Sequence, residues 1–320
     1  MNKLDVRIDV TAAVATGERL EIAATVVLGE PAPSNGIALF AYPGGGYNRR
    51  YYDLQLDEGP GYSQAEYHAS SGFVFVALDH LGVGDSSVPT KALDYEAVAR
   101  GNTSAAGEIF NRLCDGRLVR DLPPIPLTTK VAMGQSFGGF MLTIAQGREP
   151  FFDGVALLGW SGIETQPPWP KDVSIEALMS GNAGNGLDHP MRPMFHCDDV
   201  PESIVIADMT KKPGGVGSEA PWSTDFSPGG PALSTTRGPL GPGVVADEAA
   251  AIEVPVLVAT GEVDVVAEPR AEPMAYTASP DVTVAVFQRM AHMHNFATTR
   301  ALLWNRLSWW ARTVAAAPAG

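Results

Sequence analysis

The chain has 320 residues, of which 45% are apolar and 18% are charged, and its formal net charge is −14. This composition is typical of a globular protein with a sizeable core, and it excludes the collagen-like and disordered classes. The negative charge argues against nucleic acid and against an anionic membrane surface as partners, because both require a basic face. We therefore expect a small-molecule partner.

Cysteine usage and the first residues indicate a compartment. Cys114 and Cys197 lie far apart and form no C-x-x-C pattern, so we expect two free thiols and no disulfide. The first residues alternate between polar and apolar types and lack the continuous apolar region of a signal peptide. No apolar run approaches the roughly 20 residues that a membrane span requires. We expect a soluble, cytoplasmic protein, and assembly into a homo-oligomer stays open.

Strands and helices alternate along most of the chain. The predicted strands cover 4–10, 20–28, 37–42, 73–78, 131–133, 154–158, 255–260 and 282–287. The predicted helices cover 95–113, 137–146, 245–252 and 297–314. Continuous apolar runs such as 73–78 are typical of strands buried on both faces. The alternation predicts an α/β fold with a doubly wound, mostly parallel sheet, preceded by strands at the N-terminus.

Residues 163–243 differ from the rest because Pro and Gly are dense there and periodicity fades. We predict a core domain formed by 1–162 and 244–320, with 163–243 inserted as a lid over one end of the sheet, where sites of such folds lie. Aromatic residues suited to an apolar substrate pocket are Tyr42, Trp160, Trp169 and Trp222. The alternative, that the lid's apolar residues form only its own small core, stays open.

A nucleophile is predicted at residues 134–138, Gly-Gln-Ser-Phe-Gly, which fit the pattern G-x-S-x-G. An apolar strand precedes the pattern and a helix follows it, as in a strand–turn–helix that exposes a serine hydroxyl. The glycines allow the strand and the helix to approach closely. Ser136 is therefore the candidate nucleophile, and it requires a base and an acid to orient that base.

The acid and the base are predicted on the loops after the last two strands. Asp264 lies on the loop that follows strand 255–260 and is the candidate acid, and Glu262 on the same loop is the reserve candidate. His292 and His294 follow strand 282–287, and we favour His294 as the base, with His292 in reserve, because side chains two positions apart diverge. A zinc site at His-x-His lacks a third ligand of suitable spacing.

An oxyanion hole requires two backbone N–H donors. One predicted donor is Phe137, directly after the nucleophile. The second is predicted at Gly46 or Tyr47, in the glycine-rich loop 43–47 after strand 37–42. A flexible turn is the alternative reading of this loop. It is not a phosphate-binding loop, since it lacks the G-x-x-x-x-G-K spacing.

Four pieces in this order resemble the α/β-hydrolase superfamily over nearly the whole chain except the lid. They are the Pro-Gly-Gly-Gly-Tyr loop at 43–47, the Asp-His-Leu-Gly-Val-Gly-Asp-Ser turn at 79–86, the serine pattern at 134–138, and the acid and histidine loops. In the turn at 79–86 the resemblance implies structural roles for Asp79 and His80. The chain departs from many members by having Tyr42-Pro43 where they have a histidine before the glycines. A serine nucleophile implies the serine hydrolase branch.

The resemblance implies acyl transfer to water through an acyl-enzyme formed on Ser136, with no metal or organic cofactor. The apolar residues of 163–243 favour a hydrophobic carboxylic ester or lactone as the substrate. Two alternatives stay open. A C–C bond hydrolase or lyase would use the same triad, and a non-catalytic small-molecule binding protein would share only the fold.

Overall fold

The computed structural model describes residues 1–30, 33–168, 186–210 and 240–316. Within these residues, one sheet contains eight strands: β1 (Asn2–Asp9), β2 (Glu21–Leu28), β3 (Ile37–Tyr42), β4 (Val74–Leu78), β5 (Thr129–Gln135), β6 (Gly154–Leu158), β7 (Val256–Val263) and β8 (Val282–Ala291). Their spatial order is β1-β2-β4-β3-β5-β6-β7-β8. The pairs β1/β2 and β2/β4 are antiparallel and all other pairs are parallel. The predicted fold class is confirmed.

The central strands are apolar along their whole length because both faces of the sheet are covered. All six residues of β3 and all five of β4 and of β6 are buried. In β3 the side chains of Phe40 and Tyr42 belong to the core on one face, and those of Leu39 and Ala41 belong to the core on the other. This division follows the two-residue period of a strand.

Helices cover both faces. The helices are α1 (Thr11–Val14), α2 (Gln64–Ser70), α3 (Tyr95–Cys114), α4 (Phe137–Arg148), α5 (Arg192–Phe195), α6 (Glu202–Met209), α7 (Ala246–Ala250) and α8 (Arg300–Ala316). Helices α3, α4 and α7 contribute to one core, while α2, α5, α6 and α8 contribute to the other. Because the six strands β4, β3, β5, β6, β7 and β8 run parallel, their carboxyl ends lie at the same edge of this doubly covered sheet.

Several parts of the structure differ from the sequence prediction. Helix α2 was not predicted, although Ser63 caps it by accepting the Glu66 N–H at 3.0 Å. Helix α8 begins at Arg300 rather than at Ala297, because a short 3-10 turn, His294–Phe296, precedes it. Helices α5 and α6 lie within the predicted lid 163–243, of which 169–185 and 211–239 are outside the described residues.

Candidate active site

Ser136 occupies the turn between β5 and α4 in a backbone conformation that L-residues rarely adopt, with φ 52° and ψ −118°. Its N–H donates to Leu158 O at 2.8 Å, which ties the turn to the neighbouring strand β6. Its carbonyl accepts the N–H of Phe140 at 3.1 Å in the first turn of α4. The side chain is half-buried, so a reactant can reach it.

The glycines around Ser136 allow the backbone of this turn to pack against its neighbours. A Cβ at Gly134 would overlap the carbonyl of Gly138, and a Cβ at Gly138 would overlap the carbonyl of Tyr42. A Cβ at Gly139 would lie 2.6 Å from the Cβ of Trp160. None of these positions accepts a larger residue without movement of backbone or of a buried side chain.

Hydrogen bonds connect Ser136 to a histidine, and that histidine to an aspartate. His292, directly after β8, places Nε2 2.9 Å from Ser136 Oγ, and its Nδ1 lies 2.6 Å from Asp264 Oδ1. Both side chains are almost entirely buried. The preference for His294 over His292 as the residue in contact with the serine is therefore wrong, and the reserve candidate takes that position.

His294 contacts the aspartate instead of the serine. Its Nε2 lies 2.7 Å from Asp264 Oδ2, so two imidazoles share one carboxylate. The physical reason is the backbone between them: the His294 N–H donates to His292 O at 3.1 Å, and Met293 has φ −87° and ψ 73°. This is an inverse γ-turn, which brings residues two positions apart to the same side of the chain.

Asp264 is held by backbone as well as by the histidines. The N–H of Gly261 donates to Oδ2 at 2.9 Å, and the N–H of Val265 donates to Oδ1 at 2.8 Å. Burial acts to raise the pKa of Asp264, but the adjacent His292 and His294 outweigh it, and the pKa lies well below its ordinary value. The reserve acid Glu262 is exposed on β7, away from this network.

The loop that carries His292 is fixed by two contacts that sequence reasoning missed. The His292 carbonyl accepts the side-chain amide of Gln135 at 3.0 Å, and the His292 N–H donates to Met194 O at 2.9 Å. The ring of Phe195 lies 6.0 Å from that of His292. Gln135 belongs to the serine pattern and could have been noticed, whereas no local signal indicates the contacts of Met194 and Phe195.

The glycine-rich loop approaches Ser136 at Gly44, where a Cβ would lie 3.2 Å from Ser136 Cβ. Of the two predicted second donors, Tyr47 uses its N–H in a turn, donating to Gly44 O at 3.2 Å. A Cβ at Gly46 would meet nothing within 4 Å, and its φ is +81°. Gly46 thus remains as the predicted second donor, in addition to the predicted first donor Phe137 at the start of α4.

His80 binds the backbone of the glycine-rich loop at Pro43. Its Nε2 donates to Pro43 O at 3.1 Å, and its Nδ1 accepts from the Asn102 side-chain amide at 2.9 Å. Burial lowers the pKa of His80 to about 4, so the ring is neutral at pH 7. Asp79 accepts the N–H groups of Arg49, at 2.6 Å, and of Asp85, at 2.9 Å. Neither His80 nor Asp79 contacts Ser136 through a hydrogen bond found in the structure.

Of the four predicted pocket residues, the structure describes Tyr42 and Trp160, and the side chains of both are buried in the core. Tyr42 is buried in the core against His80 and Phe152, and burial raises the pKa of its hydroxyl. Trp160 is buried against Phe140 with a ring separation of 5.2 Å. Trp169 and Trp222 lie outside the described residues.

Three further observations concern metals, thiols and membranes. In the described ranges, no group of three or more His, Cys, Asp or Glu side chains could hold a metal ion. Cys114 and Cys197 are free thiols, as predicted. Among the helices that the structure describes, none has both the length and the apolar character needed to cross a bilayer.

Solved structures that are similar over nearly the whole chain support the fold. The chain is similar to an esterase from Thermogutta terrifontis, with a TM-score of 0.63, 17% identity, and coverage of 97% of this chain and 99% of that one. A bromoperoxidase from Bacillus anthracis gives a TM-score of 0.62 at 16% identity, covering 97% and 100%. Naproxen esterase from Bacillus subtilis gives 0.58 at 16%, covering 97% and 91%.

No protein-family model and no curated protein matches the sequence. Identities this low establish the architecture and leave the chemistry to the site. The chain has the α/β-hydrolase fold, as the resemblance of its motifs predicted.

Proposed function

We propose that the protein is a serine hydrolase that cleaves a carboxylic ester or lactone of a hydrophobic small molecule. The observation that carries the proposal is the hydrogen-bonded series from Ser136 Oγ through His292 to Asp264, at 2.9 and 2.6 Å. A serine hydroxyl is a weak nucleophile until an oriented base accepts its proton, and this series supplies both the base and the group that orients it.

In the proposed reaction, Ser136 Oγ attacks the substrate carbonyl carbon while its proton passes to His292 Nε2. The carbonyl oxygen becomes an oxyanion, for which we propose the backbone N–H groups of Phe137 and Gly46 as donors. When the tetrahedral species collapses, the leaving oxygen takes the proton from His292. A water molecule then attacks the acyl-enzyme with His292 again accepting a proton, which releases the acid and restores Ser136.

Asp264 holds the His292 ring with its proton on Nδ1 and its lone pair on Nε2, because a carboxylate oxygen only accepts hydrogen bonds. The anion also favours the imidazolium that forms in each step. The apolar ring of Phe195 beside His292 supports a hydrophobic substrate.

A fluorophosphonate probe, which reacts with activated serines, tests the proposal. Labelling is expected in the unmodified protein and should be lost in Ser136→Ala and in His292→Gln, while Ser70→Ala, a change at an exposed serine, should label normally. Labelling that persists in Ser136→Ala would overturn the proposal.

Turnover distinguishes the reaction classes. Hydrolysis of short-chain p-nitrophenyl esters is expected, with kcat/KM lowered by about 10⁴ or more in Ser136→Ala. Cleavage of a β-diketone without ester hydrolysis would assign the same residues to C–C bond cleavage. Binding without any labelling or turnover would indicate a non-catalytic binding protein.

A further inference from the structure

Asp264 accepts hydrogen bonds from four N–H groups, two on each oxygen. Oδ1 receives Val265 N–H and His292 Nδ1, and Oδ2 receives Gly261 N–H and His294 Nε2. The Asp264 side chain has no solvent exposure and that of His294 only 2%. A fully buried carboxylate depends on such donors, since water does not replace any that is lost.

His294 is the only side chain on Oδ2 among the residues that the structure describes. Its position is set by the inverse γ-turn at Met293, and the neighbouring Asn295 N–H donates to the hydroxyl of Tyr51 at 3.2 Å. The proton of the ring lies on Nε2, since Oδ2 is an acceptor. Nδ1 is buried and has no hydrogen-bond partner within the described ranges, which suits a neutral ring, because a second N–H there would lack an acceptor.

We propose that His294 is a positioning residue of the reaction: it binds Oδ2 of Asp264, fixes the plane of the carboxylate so that Oδ1 faces His292, and draws part of the negative charge away from Oδ1. This inference rests on the proposed function, since it concerns how strongly Asp264 favours protonation of His292. His294, a fourth residue outside the series Ser136–His292–Asp264, would thus set how readily His292 accepts and returns its proton.

Loss of the His294 hydrogen bond should shift the pH dependence of kcat/KM in one direction. Without the His294 donor, more negative charge stays on Oδ1, and the imidazolium form of His292 is stabilised. Protonated His292 cannot accept the Ser136 proton, so the acidic limb of the kcat/KM profile should move to higher pH. Loss of the fixed carboxylate plane should also lower the plateau.

Other titratable groups near the two histidines do not change this direction. Tyr51, packed from the segment after β3, has a pKa raised by burial and stays neutral in the acid range. His196 and Asp208, from the segment 192–209, pair with each other at 2.8 Å. The ring of Phe296 lies 5.5 Å from that of His196, and the hydroxyl of Tyr47 donates to Asp208 at 2.9 Å. The ring of His292 forms its hydrogen bonds with the side chains of Ser136 and Asp264, and Glu262 is exposed.

The test compares His294→Leu, which removes the donor, with His294→Gln, whose side-chain N–H can replace Nε2. In His294→Leu the plateau of kcat/KM should fall by about 10- to 100-fold, the value of one hydrogen bond to a charged group. The acidic limb should move up by about half to one pH unit. In His294→Gln, the plateau of kcat/KM and the position of the acidic limb should both lie close to those of the unmodified protein.

A second measurement does not depend on turnover. In a Ser136→Ala background, NMR titration of the His292 ring should give a higher midpoint in His294→Leu than in the parent. If His294→Leu does not fold, His294→Phe keeps a ring without a donor and is compared in its place.

Two results would overturn the inference while leaving the proposed function intact. One is an unchanged pH profile and NMR midpoint in His294→Leu. The other is an equal loss in the Leu and Gln variants at every pH, which a purely structural role would give. If Ser136→Ala and His292→Gln keep full labelling, the proposed function itself fails, and that outcome is distinct.

Discussion

At the scale of single residues, the turn at Ser136 combines a rare conformation with surroundings that accept no larger side chains. A backbone in this region costs about 1–3 kcal/mol and persists only where neighbouring structure fixes it. Here the N–H of Ser136 bonds to Leu158, and Gly138 lies against the carbonyl of Tyr42. The half-buried hydroxyl is therefore held in position by packing rather than by the local preference of serine.

Gly138→Ala should lower the free energy of unfolding by several kcal/mol, about 2–4, and abolish fluorophosphonate labelling, because the new methyl would overlap backbone. Urea unfolding and labelling measure the two effects. Gly107→Ala in α3 is the matched control, since its methyl would lie 3.5 Å from the ring of Phe151, an ordinary contact. A helical alanine should be neutral or stabilise by about 0.5–1 kcal/mol. Equal effects of the two changes would contradict this account.

Asp264→Asn should lower kcat/KM by about 10⁴, as loss of the orienting carboxylate does in serine triads. The reason is geometric: four N–H donors face this side chain, and an amide NH₂ would oppose two of them. Steady-state kinetics on a p-nitrophenyl ester check the effect. Glu262→Gln, on the exposed side of β7, should change kcat/KM less than twofold, and a reversed order of the two variants would refute the assignment.

At the scale of elements, the segment 192–209, which includes α5 and α6, is attached to both sides of the site. Met194 and Phe195 accept the backbone N–H groups of His292 and Met293 at 2.9 and 3.1 Å. On the other side, the Tyr47 hydroxyl donates to the buried carboxylate of Asp208 at 2.9 Å. The segment thus links the histidine loop to the glycine-rich loop.

Tyr47→Phe should lower the free energy of unfolding by about 1–3 kcal/mol, because a buried carboxylate loses a hydrogen bond. Tyr67→Phe removes a hydroxyl that donates to Asn305 at 2.6 Å in a more exposed setting, and its effect should stay within about 0.5 kcal/mol. Denaturant unfolding of the two variants side by side measures the difference. Comparable values would show that the link through Asp208 contributes little.

The predictability of these elements follows from the range of the interactions that form them. Buried strands, the serine pattern and the aspartate loop are visible because each depends on residues close together in sequence. Helix α2 had a local signal that was overlooked, the capping box Ser63 to Glu66. The inverse γ-turn at Met293 has no residue signature, so the choice between His292 and His294 could not be made correctly.

The contacts that the segment 192–209 makes with the two loops of the site could not be predicted from the sequence, for a different reason. The Tyr47–Asp208 contact spans 161 positions in the chain, and α6 has its apolar residues on no single face. Short helices without such a pattern give no periodic signal.

At the scale of the whole molecule, two neutral histidines are buried on opposite faces of the sheet. Burial, with a smaller effect of the Arg312 charge, lowers the pKa of His68 to about 3, and burial lowers that of His80 to about 4. Unfolded chains protonate histidine near pH 6.5. Below that pH the unfolded state therefore binds more protons than the folded state, and stability is lost as the pH falls toward 4.

Each of these histidines should contribute a slope of up to about 1.4 kcal/mol per pH unit between roughly pH 6 and 4, with stability decreasing toward acid. Urea unfolding from pH 7.5 to 4.5 measures the slope. His68→Phe should reduce it, whatever the change in stability at pH 7.5. Ser308→Ala, which removes the hydroxyl 3.0 Å from His68, should leave the slope unchanged, and a slope unaffected by His68→Phe would contradict the prediction.

The distance along the chain between Ser136 and His292, 156 positions, has a consequence for biosynthesis. During translation Ser136 emerges long before β7 and β8, so a nascent or prematurely terminated chain carries the proposed nucleophile without the proposed base His292. Ribosome-bound chains ending before His292 should therefore be inert toward esters and probes alike. Activity would appear abruptly, once the last strand has joined the sheet.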